Sequence, residues 1–182
     1  MRDEVRIIGG QWKRSKLAVL DQPGLRPTPS RVRETLFNWL GQDLTGWRVL
    51  DAFAGSGALG FEAASRGAAE VLLLERDTAL VRQLAAARAQ LKADAVQVLA
   101  ADAMAWLARC AAARFELVLL DPPFDADIFD AALAAAAPAV ALGGYLYLEA
   151  SREFIDPPPG FTRHRHLRAG AVHAQLFMRA QG

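Results

Sequence analysis

Two short stretches hold residue types whose spacing could do chemistry. The first is Asp51-Ala52-Phe53-Ala54-Gly55-Ser56-Gly57-Ala58-Leu59-Gly60, where Gly55, Gly57 and Gly60 keep G-x-G-x-x-G spacing directly after the apolar pair Val49-Leu50. Glycine permits positive φ and lets a ligand approach the backbone closely, as a nucleotide site after a strand requires. Three acids, Asp51, Glu75 and Asp102, fall at the ends of expected strands. Ligands of open parallel sheets collect outside the carboxyl ends of the strands, so these acids share a rim with the glycine loop. They would repel an anionic pyrophosphate. They suit a ligand combining an ammonium group, a ribose and an adenine amine, which is S-adenosylmethionine. The second stretch is Asp121-Pro122-Pro123-Phe124, closing the apolar run Phe115–Leu120. The Asp121 carboxylate and the Pro122 carbonyl can both accept from one exocyclic NH2 group. Two acceptors there favour a pyramidal nitrogen and aim its lone pair at an electrophilic methyl. Phe124 offers a ring face on which a base can stack. Such chemistry requires no metal.

Placing these groups on one rim takes alternating strands and helices. Strands are expected over 48–53, 70–75, 95–101, 115–121 and 145–149. Helices are expected from the glycine loop to about 66, over 78–92 and 103–112, and over 127–141 with a break at Pro138. This alternation argues for parallel strands joined by right-handed crossovers. The tail departs from it: 161–167 and 172–178 read as two strands close enough to form a hairpin, which makes the sheet end antiparallel. Ahead of the series, 5–8 and 17–19 are strand-like, with turn signals at Gly9-Gly10 and Pro23-Gly24. A helix runs from Pro29 to Leu40, with Val32, Leu36, Phe37 and Leu40 as its apolar stripe and Arg31 and Arg33 outside it. The chain thus divides into an N-terminal hairpin and helix over 1–41 and an α/β domain over 42–182.

At 182 residues, 53% hydrophobic and 23% charged, the chain has the composition of a globular protein with one sizeable domain. A single cysteine, Cys110, excludes an internal disulfide framework and a multi-cysteine zinc site, and among alanines it reads as a buried filler. The early charges Arg2, Asp3, Glu4 and Arg6 do not suit a signal peptide, and no apolar run is long enough for a membrane span. A cytoplasmic enzyme is expected. The net charge of +1 conceals an asymmetry: residues 1–33 carry a balance of +5 and the remainder −4. A basic arm on a mildly acidic body is an electrostatic footprint for a polyanion. A second basic patch, Arg163, His164, Arg165, His166 and Arg168, lies on an expected strand, where Arg163 and Arg165 would share a face. Trp39, Trp47 and Trp106 read as core residues, and no histidine has an evident catalytic partner.

The residues carry a resemblance. Residues 51–57 resemble the nucleotide-binding loop of class I S-adenosylmethionine-dependent methyltransferases, and 121–124 resemble the catalytic motif of amino-methyltransferases. The stretches Arg6-Ile7-Ile8-Gly9-Gly10, then Trp12, Arg14 and Leu17, then Arg26-Pro27-Thr28 and Arg31-Val32-Arg33-Glu34-Thr35-Leu36-Phe37-Asn38 are closely similar to the bacterial 16S ribosomal RNA guanine-N2 methyltransferases, small-subunit methyltransferase D. The likeness extends from Arg6 to about Met178. It implies a Rossmann-like α/β fold with a mostly parallel seven-stranded sheet, S-adenosylmethionine as methyl donor, and a guanine N2 of 16S rRNA as acceptor. The RNA would be met within a small-subunit assembly intermediate or the subunit, by a monomer.

By that resemblance, Asp51, Phe53, Ala54, Gly55, Ser56 and Gly57 would surround the methionine part. Glu75, with Arg76 beside it, would take the ribose hydroxyls, and Asp102 and Ala103 the adenine. Asp121 would face both cofactor and substrate, with Pro122, Pro123 and Phe124 completing the catalytic motif. Arg6, Arg14, Arg26, Arg31 and Arg33 would meet RNA, although Arg26 and Arg31 could equally brace the loop over the cofactor. DNA adenine and protein glutamine methyltransferases use the same amine chemistry. A nicotinamide oxidoreductase would share the glycine spacing but leaves 121–124 unexplained, and neither Tyr145 nor Tyr147 has a lysine near it in sequence.

Overall fold

Four apolar runs, Val49-Leu50, Val71-Leu72-Leu73-Leu74, Leu117-Val118-Leu119-Leu120 and Leu146-Tyr147-Leu148, are buried on both sides of one sheet. Such continuous burial suits parallel strands covered by helices on each face. The computed structural model describes residues 4–25 and 27–182. The chain opens with a two-stranded antiparallel ribbon, β1 (Val5–Arg6) and β2 (Lys16–Leu17), followed by helix α1 (Ser30–Leu40). There follow β3 (Arg48–Asp51), α2 (Ala58–Ser65), β4 (Glu70–Glu75), α3 (Thr78–Leu91), β5 (Val96–Ala100), α4 (Ala103–Leu107), β6 (Phe115–Leu120), α5 (Phe129–Ala136), β7 (Val140–Ala150), β8 (Phe161–Ala169) and β9 (Val172–Arg179).

Seven of these strands form one sheet in the order β5-β4-β3-β6-β7-β9-β8. The first five pair in parallel, and β9 runs antiparallel between β7 and β8. This is the expected Rossmann-like, mostly parallel architecture with a C-terminal antiparallel hairpin. The chain leaves β3 toward β4 on one side and returns to β6 on the other, so the topological switch point lies between β3 and β6. Doubly wound folds bind their ligands at the carboxyl ends of the strands beside such a point. No helix among the described residues is long and apolar enough to cross a membrane.

Several boundaries differ from expectation for local reasons. Helix α4 stops at Leu107 because residues 111–113 are exposed and give no apolar face to bury, and Ala113 turns the chain at φ 53°. Helix α5 ends at Ala136. Pro138, lacking an N–H, sits in a short 3-10 turn, and strand β7 starts already at Val140. In β8 the register slips at His164, so that Arg163 faces Phe177 and Arg165 faces Leu176, successive residues of β9. The extra residue of this bulge turns the two arginines to opposite faces, contrary to the simple alternation expected. Cys110 is half-buried rather than enclosed.

The largest departure concerns Arg33. Its position in the sequence puts it on the polar side of α1, available to phosphate; it is instead 1% exposed and belongs to the core. Its Nε donates to the Thr28 carbonyl at 3.2 Å, its Nη1 to the Arg6 carbonyl at 2.9 Å and to Glu62 Oε1 at 3.4 Å. Glu62 lies on α2, a helix whose every residue is buried. Its carboxylate also accepts from the Ile8 and Gly9 amides at 2.8 and 3.1 Å and from Arg66 Nε at 3.1 Å. Helix α2 is therefore sandwiched between the sheet and the N-terminal segment, and Val5, Ile7, Leu17, Val32, Leu36 and Phe37 share its core. Arg33 cannot neutralise an RNA phosphate without tearing this cluster open. Arg33→Ala is expected to lower unfolding stability by about 3 kcal/mol, the lower end for removing one partner of a buried pair, because Arg66 still compensates Glu62. Urea unfolding would check this. An unchanged midpoint would reject the bracing role.

Candidate active site

Asp51 is the last residue of β3 and only 1% exposed. Its Oδ2 accepts from the Gly60 amide at 3.0 Å. A Cβ on Gly60 would stand 2.2 Å from Leu73 and 3.1 Å from Asp51 Oδ2, so this glycine lets α2 press against the sheet and clamp the carboxylate. Asp51 Oδ1 is buried with no hydrogen-bond partner among the described residues. Burial, opposed by the Gly60 amide and reinforced by Glu75 and Glu149, raises the Asp51 pKa to about 7. A buried acceptor left unpaired is costly unless a cationic or N–H donor completes it. The ammonium group of an amino acid is such a donor.

The loop after Asp51 turns through Gly55 and Gly57 at φ 55° and 82°. A Cβ on Gly57 would lie 2.6 Å from Phe61 and 2.7 Å from Leu84, which no rearrangement of the turn relieves cheaply. Ala54, Ser56 and Gly57 are buried, while Phe53 and Gly55 are partly open. Glu75, half-buried at the end of β4, holds the loop: its Oε2 accepts from the Gly55 amide at 3.0 Å and its Oε1 from the Asp77 amide at 3.1 Å. Each carboxylate oxygen has two acceptor sites, so both retain capacity for hydroxyl donors. Asp102 caps α4, its Oδ1 accepting from the Ala105 amide at 2.9 Å; it is exposed, and Ala103 behind it is buried. Arg76 is exposed.

Asp121 follows β6 on the other side of the switch point. Thr28 Oγ1, from the turn before α1, donates to Asp121 Oδ2 at 3.5 Å. Burial, then the neighbouring Glu149 and Asp51 carboxylates, push the Asp121 acid well above the usual carboxylate range. Pro122 is buried and Pro123 exposed. Phe124, in a short 3-10 turn, is 38% exposed, with its ring edge-on to Phe129 at 5.8 Å between centroids. An exposed aromatic at a site mouth is available for stacking.

The structure thus gathers Asp51, the glycine loop, Glu75 and Asp121 at one rim, with Asp102 at the neighbouring strand end. Arg6, Arg14 and Arg31 are exposed on the N-terminal segment, Arg6 pairing with Glu4 at 3.7 Å. Arg26 lies outside the described residues. Three residues of the site, Glu149, Tyr147 and Thr28, are not found by sequence reasoning. Glu149 stands one residue before the end of β7, much as Asp51 and Glu75 end their strands, and that shared pattern was the signal available. Thr28 could not be found this way, because its partner lies far away in sequence.

The sheet order, the glycine loop after Asp51 and the Asp121-Pro122-Pro123-Phe124 turn on either side of the switch point define a Rossmann-like methyltransferase. A family model described as Conserved hypothetical protein 95 matches residues 5–178. The Ribosomal RNA small subunit methyltransferase D of Escherichia coli (strain K12) is 43% identical over 98% of this chain and 92% of its own length. Its namesake from Haemophilus influenzae is 44% identical over 72% of this chain and 70% of its own. Among solved structures, a candidate methyltransferase from Escherichia coli superposes with a TM-score of 0.88 at 37% identity, covering 99% of this chain and all of that one. The chain belongs to the family of ribosomal RNA small subunit methyltransferase D.

Proposed function

We propose that this protein transfers a methyl group from S-adenosylmethionine to the exocyclic N2 amine of one guanine in 16S ribosomal RNA. The observation that carries this reading is the pairing across the switch point of an orphaned, buried Asp51 oxygen with the Asp121-Pro122-Pro123-Phe124 turn, in a chain of this family. The residues present fit the cofactor. Asp51 Oδ1 would take the ammonium group, Glu75 the ribose hydroxyls, and the free oxygen of Asp102, beside Ala103, the adenine amine. When bound, S-adenosylmethionine would supply an electrophilic sulfonium methyl group: the carbon–sulfur bond would break with its electron pair on sulfur as the nitrogen lone pair formed the new bond, and one amine proton would be lost to water.

The protein's part is to aim the nitrogen. An aryl amine is a weak nucleophile because its lone pair is delocalised into the ring. Asp121 and the Pro122 carbonyl, accepting from its two hydrogens, hold it pyramidal, and Phe124 stacks on the extruded base. Arg6, Arg14 and Arg31, exposed on the N-terminal segment, would meet phosphates; the RNA would be presented within a small-subunit precursor or the subunit. Transfer of tritiated methyl from S-adenosylmethionine to small-subunit RNA, followed by mapping of the modified base, tests the reading. Label in a single N2-methylguanine is expected. Label in adenine, or none in RNA, would reject it.

Glu75 gives a separate check on the cofactor. Glu75→Ala should weaken S-adenosylmethionine binding by about 1.5–3 kcal/mol, the range for hydrogen bonds to a charged group. The loop amide of Gly55 also loses its partner, so the change should not fall below that range. Calorimetry that returns the wild-type affinity would remove Glu75 from the cofactor site.

A further inference from the structure

The large apolar side chains left exposed among the described residues are Phe124, Leu142 and Ile155. Leu142 lies near the amino end of β7, on the edge of the sheet away from the site. The other two share the carboxyl edge. Leu120 pairs with Leu148, so Asp121 and the loop that follows Ala150 leave neighbouring parallel strands on the same side. A row of rings connects them. Phe129 stands edge-on to Phe124 at 5.8 Å between centroids and to Phe154 at 6.2 Å, and Ile155 follows Phe154 in the chain. Phe154 is buried, whereas Ile155 is 71% exposed. The exposure does not come from a slack loop. Gln175, a fully buried side chain of β9, accepts from the Phe154 amide at 2.5 Å and donates to the Arg152 carbonyl at 3.4 Å. The Arg152 guanidinium lies over the Phe154 ring, 3.9 Å from its centroid, and pairs with Asp130 of α5 at 2.6 Å. Prolines 157–159 stiffen the chain beyond, and the Pro158 carbonyl accepts from the Phe161 amide at 3.0 Å. A clamped loop thus holds an isoleucine out in water, where its apolar surface gains nothing until another molecule covers it.

The same edge runs on to a cation. Ala150 pairs with His173, and His173 with Arg168, so β7, β9 and β8 meet in one row there. Cross-strand partners point to the same face, so Arg168 shares the face on which Ala150 and Phe154 pack. At about 4.8 Å per strand, Arg168 is about 10 Å from the start of the loop and about 14 Å from the strand of Asp121. Arg152 and Arg163 are taken up by Asp130 and Glu153. Arg168 is exposed beside the turn, and its Nε donates to the Gly170 carbonyl at 3.2 Å, which leaves its other nitrogens to a ligand. On the opposite side of Asp121, toward β3, β4 and β5, the strand ends carry Asp51, Glu75 and Asp102 with Arg76 beside them. That net negative rim turns phosphate away. A polyanion whose base enters at Asp121–Phe124 is steered toward β7, β9 and β8.

We propose that the loop after β7 and the β8–β9 turn form a second RNA contact, in which Ile155 packs against the base next to the extruded guanine and Arg168 takes a phosphate of the strand beyond it. This rests on the placement of the target base at Asp121–Phe124 made above. Pulling one base out of a strand uncovers the face of its neighbour, and a rigidly held apolar wedge covers that face at little cost in entropy. The N-terminal segment packs with α2 on one face of the sheet, and this loop packs with α5 on the other. RNA is then held from both sides of Asp121.

The test is titration of the full chain with unmethylated small-subunit RNA, free and assembled with its proteins, at several salt concentrations. S-adenosylhomocysteine is present so that no methyl transfer intervenes. Ile155→Ala should weaken RNA binding by at least about fivefold, the low end for a side chain covering a base face, and Ile155→Leu should keep most of the affinity. Arg168→Ala should flatten the salt dependence by about 0.7–0.9 of a unit, the share of one phosphate contact. Leu142→Ala, on the far edge, should do neither. Each variant should keep the wild-type affinity for S-adenosylmethionine and the wild-type urea midpoint, which sets a lost contact apart from a damaged fold. A benzophenone side chain in place of Ile155, illuminated in the complex with small subunits, should couple to RNA within a few nucleotides of the methylated guanine. Wild-type RNA affinity in Ile155→Ala, or coupling to a ribosomal protein and not to RNA, would overturn the proposal. Should the wild type methylate no RNA, the functional reading fails instead, and the titrations of Ile155→Ala and Arg168→Ala alone decide whether this edge meets RNA.

Discussion

Asp121→Ala is expected to cut single-turnover methyl transfer by about a thousandfold while leaving a folded protein that binds S-adenosylmethionine within a few-fold of wild type. The size follows from the role proposed for the carboxylate, set on the scale of about 10²–10⁴-fold that a positioned acid–base group at a reacting N–H contributes, and a thousandfold corresponds to about 4 kcal/mol. The fold should survive because Asp121 is an electrostatic burden in the free protein. It is held well above its ordinary pKa by burial and by Glu149 and Asp51, and the hydroxyl donor it does have is the long contact from Thr28. Removing such a group relieves repulsion and leaves the hydrogen bond from Tyr147 to Glu149 in place. Asp121→Asn should lie between, since its amide oxygen still accepts but carries no full charge. Rapid-quench measurement with cofactor affinity determined alongside would check the outcome. A near-normal rate in the alanine variant would take Asp121 out of the chemistry.

What was legible in the sequence was local. Asp51, Glu75 and Asp102 each stand where an apolar strand stops, and the three glycines mark the turn that follows, so strand, turn and rim could be read together. The glycines were legible in part: Gly55 and Gly57 take the positive φ their spacing suggests, whereas Gly60 answers to the packing of α2 on Leu73, a tertiary demand that local spacing does not reveal. Arg33 was not legible. Position outside an apolar stripe implies solvent only if the other side of the helix is solvent, and the partner awaiting it, Glu62, lies on a helix buried all round. Likewise, a basic N-terminal charge balance does not separate cations that face outward, such as Arg14 and Arg31, from one that closes a core. Glu149 was hidden by a different cause. Its strand was expected over 145–149, but nothing local reveals that β7 packs beside β6, which is what makes it a neighbour of Asp121.

Replacing the target guanosine by inosine in the small-subunit RNA should preserve most of the binding and abolish methyl transfer. Inosine lacks the exocyclic N2 amine but keeps O6, N7 and a ring that can stack on Phe124. Binding rests on phosphate contacts and stacking, which are unchanged, the latter worth about 1–3 kcal/mol per base. The reaction has lost its nucleophile, and Asp121 and the Pro122 carbonyl face a carbon-bound hydrogen where two N–H donors are required. A site built to hydrogen-bond a substrate group rejects an analogue lacking it by about 10⁴–10⁵-fold even where chemistry remains possible. Here no acceptor nitrogen remains on that edge, so the rate should fall to background. 2-Aminopurine provides the contrast: it restores the amine and removes O6, so methylation at a reduced rate would measure how far the pocket reads guanine's other edge. Tritium transfer to RNAs carrying each base at the mapped position is the measurement. Label appearing at inosine would mean that another atom accepts the methyl group, and the N2 assignment would fall even though Asp51, Glu75 and Asp121 kept their places in a methyltransferase site.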